Sequence, residues 1–532
     1  MLSAKSGFFR DKALKLFLTV WIVYAFYLQM FGLSGMANSQ SALTAAIVNE
    51  GSFSIDAYYR AGGGGIAFYD GHYYSGQAPG ISFISVPLYL AAKPIFYILP
   101  QGWVDYIIGR LDSYGADLPA DYHGNEKIPS DYFPGLSSRQ VLEYLIISGF
   151  ILPVFTTSLV SALSVVLLYL FLKKFTGNDK LRTAIALFYA FGTILFPLST
   201  EFFERPIAIA LIFAAFIILF KVRHERLKAK KSAIFAAGTL AGISVWFDYF
   251  HLIAAALLFL YLLFIIAKQK AKEAGSAWIF NLSKSKLILL LPFIIGAAIP
   301  VVLLSLYFYI VFDNPFTQSY AYTVIPESVH TVSGILNIKF PTINTLFRML
   351  EFFIYSPIIL LALYGVHMAL SKKDAHYPEA LAVLIFTITT FIYASLLAFA
   401  YPSSIAPSFK RYMTPILPFI FIFLPYIFAG AKALKMRNMK VLFVALGILS
   451  IFMNWMSAQF GGHQGLGHFN LDSKQFEVIP QLLENGPSSS FLRAFAGVFG
   501  ADPLLIGLIG LTILISILYI VWRPYLETKP AS

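Results

Sequence analysis

Runs of about 20 apolar residues recur along most of the chain, and no other feature constrains the fold as much. That is the length a helix needs to cross a bilayer. Only helices and closed barrels satisfy their own backbone groups in lipid. The runs fall near 14–33, 141–172, 183–199, 205–221, 233–249, 252–267, 287–311, 354–370, 379–400, 414–430, 440–457 and 502–522. The 532 residues are 58% hydrophobic and 12% charged, whereas a soluble domain carries about 25% charged residues. The expected fold is all-α and polytopic, with about twelve transmembrane helices and a large first extracytoplasmic loop. The whole of 1–532 reads as one integral membrane domain.

The formal net charge of +12 would suit a nucleic-acid surface, but the charges sit in the wrong places for one. Roughly two thirds of the 39 Lys and Arg lie before the first apolar run, in loops after alternate runs, or after the last run. The clusters are Lys173/Lys174, Lys221 to Lys231, Lys268 to Lys286, Lys372/Lys373 and Lys432 to Lys440. This is the positive-inside pattern, and it places both termini in the cytoplasm of a multi-pass cell-membrane protein. Membrane lipids are expected partners and nucleic acid is not. The basic start leads into the first run without a small-residue cleavage site, so no cleavable signal peptide is expected. The chain has no cysteine, which excludes disulfides, thiolate metal sites and a cysteine nucleophile.

The run 81–99 breaks this parity if it crosses, and it contains Pro87, Lys93 and Pro94. It is therefore expected to lie in the outer interface. The outer loops are then 34–140, carrying interfacial helices, and 312–353 and 458–501, joined by shorter turns.

The first outer loop is much too long for a connector, and such loops tend to carry function. Its segment 36–80 gathers Glu50, Asp56 and Asp70 with several tyrosines around a glycine run at Gly62–Gly65. Asp56 in SFSIDAYY and Asp70 in AFYDGHYY are the candidate catalytic carboxylates, suited to taking a proton from a hydroxyl acceptor. Either residue equally suits a turn or a cap. Glu50, His72, Tyr74 and Gln77 are candidate substrate-binding groups beside them, since aromatics next to polar groups suit a sugar ring. Deeper in the sequence, Glu204 and Arg205 open the fourth run, close to Glu201. Asp248 sits in WFDYFH between two runs. Ionisable residues at that depth are costly unless paired or functional. Arg205 suits a phosphate or a local salt bridge. Lys410 and Arg411 in PSFKRYMTPILPF are almost the only basic pair on the outer face, placed to hold a lipid-borne phosphate. Lys339 and Arg348 are possible supplements. No nucleotide-binding or zinc-protease motif occurs in a fitting context. The outward carboxylates leave room for a divalent cation, and no motif calls for another cofactor.

The pieces SIDAYY, AFYDGHYYSGQAPG, STEFFERP, GISVWFDY, YFYIVFDNPFTQSY, FFIYSPIILLALYG and SFKRYMTPILPF together resemble the C-type superfamily of integral membrane glycosyltransferases. The nearest in flavour are the protein O-mannosyltransferase (family 39-like) and lipid A aminoarabinose transferase group. The resemblance implies transfer of a sugar from a polyprenyl- or dolichyl-phosphate donor to a protein, lipid or glycan hydroxyl on the outer face. It implies a loop carboxylate as base, here Asp56 first and Asp70 second, and basic residues on the carrier phosphate. The chain departs from the pattern at three places. Asn38-Ser39-Gln40 stands where an acidic residue is usual, Gln77-Ala78-Pro79 where a Lys precedes Pro, and Arg205 where a His is common. A twelve-span transporter or flippase is the alternative, and would show broken mid-membrane helices and internal two-fold similarity. A non-catalytic assembly subunit is the third possibility.

Overall fold

The computed structural model describes residues 11–29, 35–117, 133, 135–225, 230–270, 278–280, 287–323, 350, 352–400, 406–429, 433–459 and 490–526. Lys339, Arg348 and most of the loops 312–353 and 458–501 lie outside the described residues.

Helices dominate. Seven of them, counted among the described residues, are long and apolar enough to cross a membrane, and two shorter apolar helices join them. The protein is thus a multi-pass helical membrane protein. The sequence runs through α1 (Lys12–Phe26), α2 (Gly35–Glu50), the strands β1 (Ile66–Tyr69) and β2 (His72–Ser75), α3 (Gly80–Ala92), α4 (Pro94–Ile98) and α5 (Gln101–Asp117). It continues through α6 (Ser138–Ile146), two π-helical turns, α7 (Leu159–Phe171), α8 (Asp179–Phe191), α9 (Leu195–Ser199), α10 (Arg205–His224), α11 (Lys230–Phe247) and α12 (His251–Ala267). A short hairpin of β3 (Lys268–Lys270) and β4 (Trp278–Phe280) follows. Then come α13 (Leu291–Phe312), α14 (Ile358–Lys372), α15 (Tyr377–Ala400), α16 (Leu417–Phe421), α17 (Ala433–Gln459), α18 (Ser490–Phe499) and α19 (Pro503–Leu526).

Two expected spans are not plain helices. The run 183–199 divides at Gly192, which ends α8. The run 414–430 is a series of 3-10 turns around the five-residue α16. Pro415, Pro418 and Pro425 remove donors and clash with a continuous α-helix there. The run 81–99, expected at the interface, falls on the helical stretch Gly80–Ile98, which is apolar and long enough to count among the seven.

The tightest helix pair is α11 with α13, held by small residues. A Cβ on Gly238 would stand 2.2 Å from the Phe293 carbonyl oxygen, and one on Gly296 2.3 Å from that of Phe235. Close backbone approach of this kind is how helices associate where lipid removes the hydrophobic drive between them. Trp246 Nε1 on α11 donates to the Pro300 carbonyl on α13 at 2.6 Å.

The two ends of the bundle differ in chemistry. At one end the basic loops find carboxylates: Lys12 on Asp179, Lys174 on Glu225 at 2.9 Å, and Arg223 on Glu379. Glu379 is fully buried and also accepts from Tyr261, with the His224 ring 3.1 Å away. The opposite end carries the β1–β2 hairpin, the α9–α10 turn, the α11–α12 turn and the C-terminal end of α13.

Candidate functional site

The hairpin forms where aromatic residues alternate around Asp70-Gly71. Asp70 has φ +46° and Gly71 φ +82°, both left-handed, as a two-residue type I′ turn requires. Phe68 pairs with Tyr73 and Ala67 with Tyr74. Tyr69 and Tyr74 face α13, where their rings meet Phe312 at 5.8 and 5.6 Å. Asp70 itself is exposed at the tip.

Asp56 lies beside β2. Its Oδ1 accepts from the Tyr73 amide at 2.7 Å, its Oδ2 meets His72 Nδ1 at 2.7 Å, and its own amide donates to Ser54 Oγ at 3.3 Å. Partial burial works against ionisation, but the Ser54, Tyr73 and His72 contacts outweigh it and hold the carboxyl below its ordinary value. Glu50 ends α2, and Gly51 at φ +64° stops the helix in a left-handed cap. Desolvation and the nearby Asp56 carboxylate push the Glu50 carboxyl up. The run Gly62–Gly65 closes a 3-10 helix, Tyr59–Gly65, that delivers the chain into β1.

After β2 the chain turns inward. Gly80 fits where a Cβ would come within 2.6 Å of the Trp246 carbonyl oxygen. This seats Gln77 in the interior, where its Oε1 accepts from Tyr320 at 3.1 Å.

Beneath the hairpin lies a buried charged cluster. Arg205 opens α10, where a cation opposes the helix dipole. A carboxylate offsets it: Arg205 Nε lies 2.8 Å from Asp248 Oδ2, with the two residues 2% and 5% exposed. The Arg205 guanidinium also stacks on Tyr412, 3.8 Å from the ring centroid. Arg411, 3% exposed, lies 5.6 Å from the same ring and 5.9 Å from that of Phe203. Glu204 and His251 are buried beside them, His251 Nδ1 3.8 Å from Asp248 Oδ2. Among the described residues, Arg205 Nη1, Arg411 Nε, Glu204 Oε2 and both His251 nitrogens have no hydrogen-bond partner. Orphaned polar atoms of this kind are costly and need a cause.

The turn that carries this cluster is fixed from α6–α7. Thr157 in the second π-turn donates to the Phe203 carbonyl at 3.0 Å and accepts from its amide at 3.1 Å, while Ser158 donates to the Ser199 carbonyl at 2.7 Å. A π-turn re-aims side chains without ending the helix. Asp248 Oδ1 likewise accepts from the Phe250 amide at 3.1 Å, closing the α11–α12 turn.

The structure thus brings Gln77, Glu204, Arg205, Asp248 and Arg411 to the buried cluster and its rim. Asp56, Asp70, His72 and Tyr74 belong to the hairpin above, with Glu50 beside Asp56. Lys410 has its backbone in the 3-10 turns Ala406–Ile416, and its side chain lies outside the described residues. No three His, Cys, Asp or Glu among the described residues converge on a metal site.

No family model matches the chain, and no curated protein is significantly similar to it. Solved structures do match. One is the archaeal oligosaccharyltransferase AglB from Archaeoglobus fulgidus in complex with an inhibitory peptide and a dolichol-phosphate, with TM-score 0.46, 13% identity, and coverage of 92% of this chain and 60% of that one. The apo form of the Archaeoglobus fulgidus oligosaccharyltransferase matches with TM-score 0.44 at 13% identity, over 92% of this chain and 60% of that chain. The form tethered to an acceptor peptide gives 0.41 at 14%, over 84% and 57%. The chain therefore spans about 60% of the length of these structures.

Three residues of the cluster stand outside the sequence expectations: Tyr320, Tyr412 and His251. All three lie in phrases singled out in the sequence, YFYIVFDNPFTQSY, PSFKRYMTPILPF and WFDYFH. Nothing in the spacing of Tyr412 or His251 says that their rings meet Arg205 and Asp248.

Proposed function

We propose that this protein transfers a sugar from a polyprenyl- or dolichyl-phosphate donor to a protein, lipid or glycan hydroxyl at the outer face of the membrane. One observation carries the proposal. Two buried guanidinium groups with unused N–H donors lie at the bundle end that carries a half-exposed, hydrogen-bonded carboxylate. Guanidinium forks match a phosphate, and a hydroxyl acceptor needs a base.

In this scheme Arg205 and Arg411, with Lys410, hold the carrier phosphate. Asp248 and Glu204 keep Arg205 in place. The acceptor oxygen bonds to the anomeric carbon as the carbon–oxygen bond to phosphate breaks. Asp56 takes the acceptor proton, and the electron pair leaves on the phosphate beside the two guanidiniums. Displacement in one step inverts the anomeric centre. His72 orients Asp56, and Gln77 with Tyr320 ties the hairpin to the phosphate site. Glu50 lines the acceptor side, and Tyr74, on the α13 face of the hairpin, is a candidate substrate contact. Asp70 is the second candidate base, at the hairpin tip. A low carboxyl pKa makes Asp56 a weak base, which suffices where the leaving group is a phosphate. The resemblance in sequence motifs supports the same reaction. The bundle end that carries the hairpin is the extracytoplasmic one, because the basic loops gather at the other end.

The test is transfer by the purified chain in nanodiscs, with labelled polyprenyl-phosphate sugars and mixed acceptors. Label should reach an acceptor, and Asp56→Asn and Arg411→Ala should each lower the rate by about 100-fold or more. Wild-type transfer by both variants, or uptake of sugar without a covalent product, overturns the proposal.

A further inference from the structure

The outward face of the β1–β2 hairpin is a built surface without an assigned role. Cross-strand pairing puts Phe68 and Tyr73 together on it, with ring centroids 5.0 Å apart. Tyr59, from the 3-10 helix before β1, stacks flat on Tyr73 at 4.1 Å with only 4° between the planes. Phe68 is 45% exposed. Tyr59 and Tyr73 are partly buried against the core, and Phe68 stands outward beside them; an exposed phenylalanine backed by packed aromatics gains nothing from water and signals a contact surface. Polar groups rim it. Asp56 is anchored at the edge of β2 by Tyr73 and His72, and Arg60 Nε donates to the Tyr59 hydroxyl at 3.2 Å.

We infer that this face binds an uncharged carbohydrate as the acceptor, stacking a sugar ring on Phe68 and Tyr73 and presenting a hydroxyl to Asp56. The inference rests on the transfer reaction proposed above and narrows its acceptor class. Two observations decide against the other acceptors. A peptide that adds a strand needs a free sheet edge, and both edges are occupied. The Ile55 amide donates to the Tyr73 carbonyl at 2.7 Å on one side, and Thr323 bridges Ala67 on the other. An anionic lipid headgroup meets a repulsive field, because the Asp56 carboxylate is fixed at the edge of this face by the Tyr73 amide, with Glu50 close to it. A pyranose suits what remains. Its C–H face is apolar and flat enough to lie on an aromatic ring, and its hydroxyl rim meets the Asp56 carboxylate at the edge of β2.

The experiment is saturation-transfer NMR on the full chain in nanodiscs with no donor present. The probes are short neutral oligomers of mannose, glucose, galactose and N-acetylglucosamine, a uronic-acid oligomer, and a mixed serine- and threonine-rich peptide. At least one neutral oligomer should bind. Phe68→Ala should weaken that binding by about three- to tenfold, the worth of one aromatic stack, and Phe68→Trp should restore it. Ile98→Ala, on the exposed end of α4, should leave it unchanged. Phe68 is half-exposed, so its removal leaves the fold intact. Binding of none of the neutral oligomers, equal binding by Phe68→Ala, or preference for the peptide or the uronic-acid oligomer each overturns the inference. Binding without transfer from any donor removes the proposed reaction and leaves the platform. Transfer to peptide without oligosaccharide binding does the reverse.

Discussion

Asp248→Asn removes one charge from the buried cluster and keeps its volume. The change leaves Arg205, 2% exposed, facing a neutral amide where a carboxylate oxygen lay 2.8 Å from its Nε. Breaking a buried ion pair costs about 3–5 kcal/mol, because the surviving charge stays desolvated. Glu204 is a second carboxylate acting on Arg205, and the Tyr412 ring continues to shield the guanidinium. The loss therefore belongs at the low end, about 3 kcal/mol, or roughly 150-fold in the folding equilibrium. Reversible unfolding in mixed detergent micelles measures it. The double variant Arg205→Met with Asp248→Leu removes both charges together and should return to within about 1 kcal/mol of wild type. A neutral interhelical hydrogen bond in a membrane averages only about 0.6 kcal/mol. A loss of that size for Asp248→Asn, or a double variant worse than the single one, refutes the claim that Arg205 and Asp248 form a buried ion pair.

Four further outcomes follow from the same geometry. Asp56 stays ionised to below its ordinary carboxylate value, so transfer should hold as pH drops from neutral through the ordinary carboxylate range and fall only beneath it. Any stability from its contacts is likewise present above the unfolded value and lost as pH drops through the folded one; an acid limb centred near pH 6 would exclude Asp56 as base. Asp70→Asn should fold as wild type, whereas Asp70→Val should cost about 1–2 kcal/mol by forcing a β-branched residue into left-handed backbone, read as unfolding in micelles. Gly296→Ala should cost about 1–3 kcal/mol by overpacking the α11–α13 seam, seen as a lower melting temperature. The chain has no cysteine, so single-cysteine labelling reports sidedness cleanly. Phe68→Cys should react with an impermeant maleimide on intact cells, and Lys173→Cys only after permeabilisation.

Much of the architecture was legible because lipid enforces a simple rule on apolar runs. Helix α10 begins at Arg205 and α12 at His251, where their apolar runs were expected to begin within a residue. The exceptions have local causes in glycine and proline, at Gly192 and at Pro415, Pro418 and Pro425. The hairpin carried a signal that went unread: an Asp-Gly pair flanked by alternating aromatics. At the site, the depth of Arg205 and Asp248 marked both as unusual, and their meeting accounts for the cost of each. Their partners were harder to see. Tyr412 and Tyr320 come from segments about 200 and 100 residues away in sequence, and no local period records which distant rings converge. Asp70 was open in sequence to both a turn and a catalytic role, and its left-handed torsion accounts for the first.

The Glu379 carboxylate has a consequence for assembly. It gathers Arg223 and His224 from the end of α10 and Tyr261 from α12, two segments made more than 100 residues before it. Until α15 inserts, those groups must find water or lipid headgroups. Those donors at this end of the bundle are therefore met only once α15 has docked. A nascent chain stopped before Tyr377 leaves that set unmet at one membrane surface.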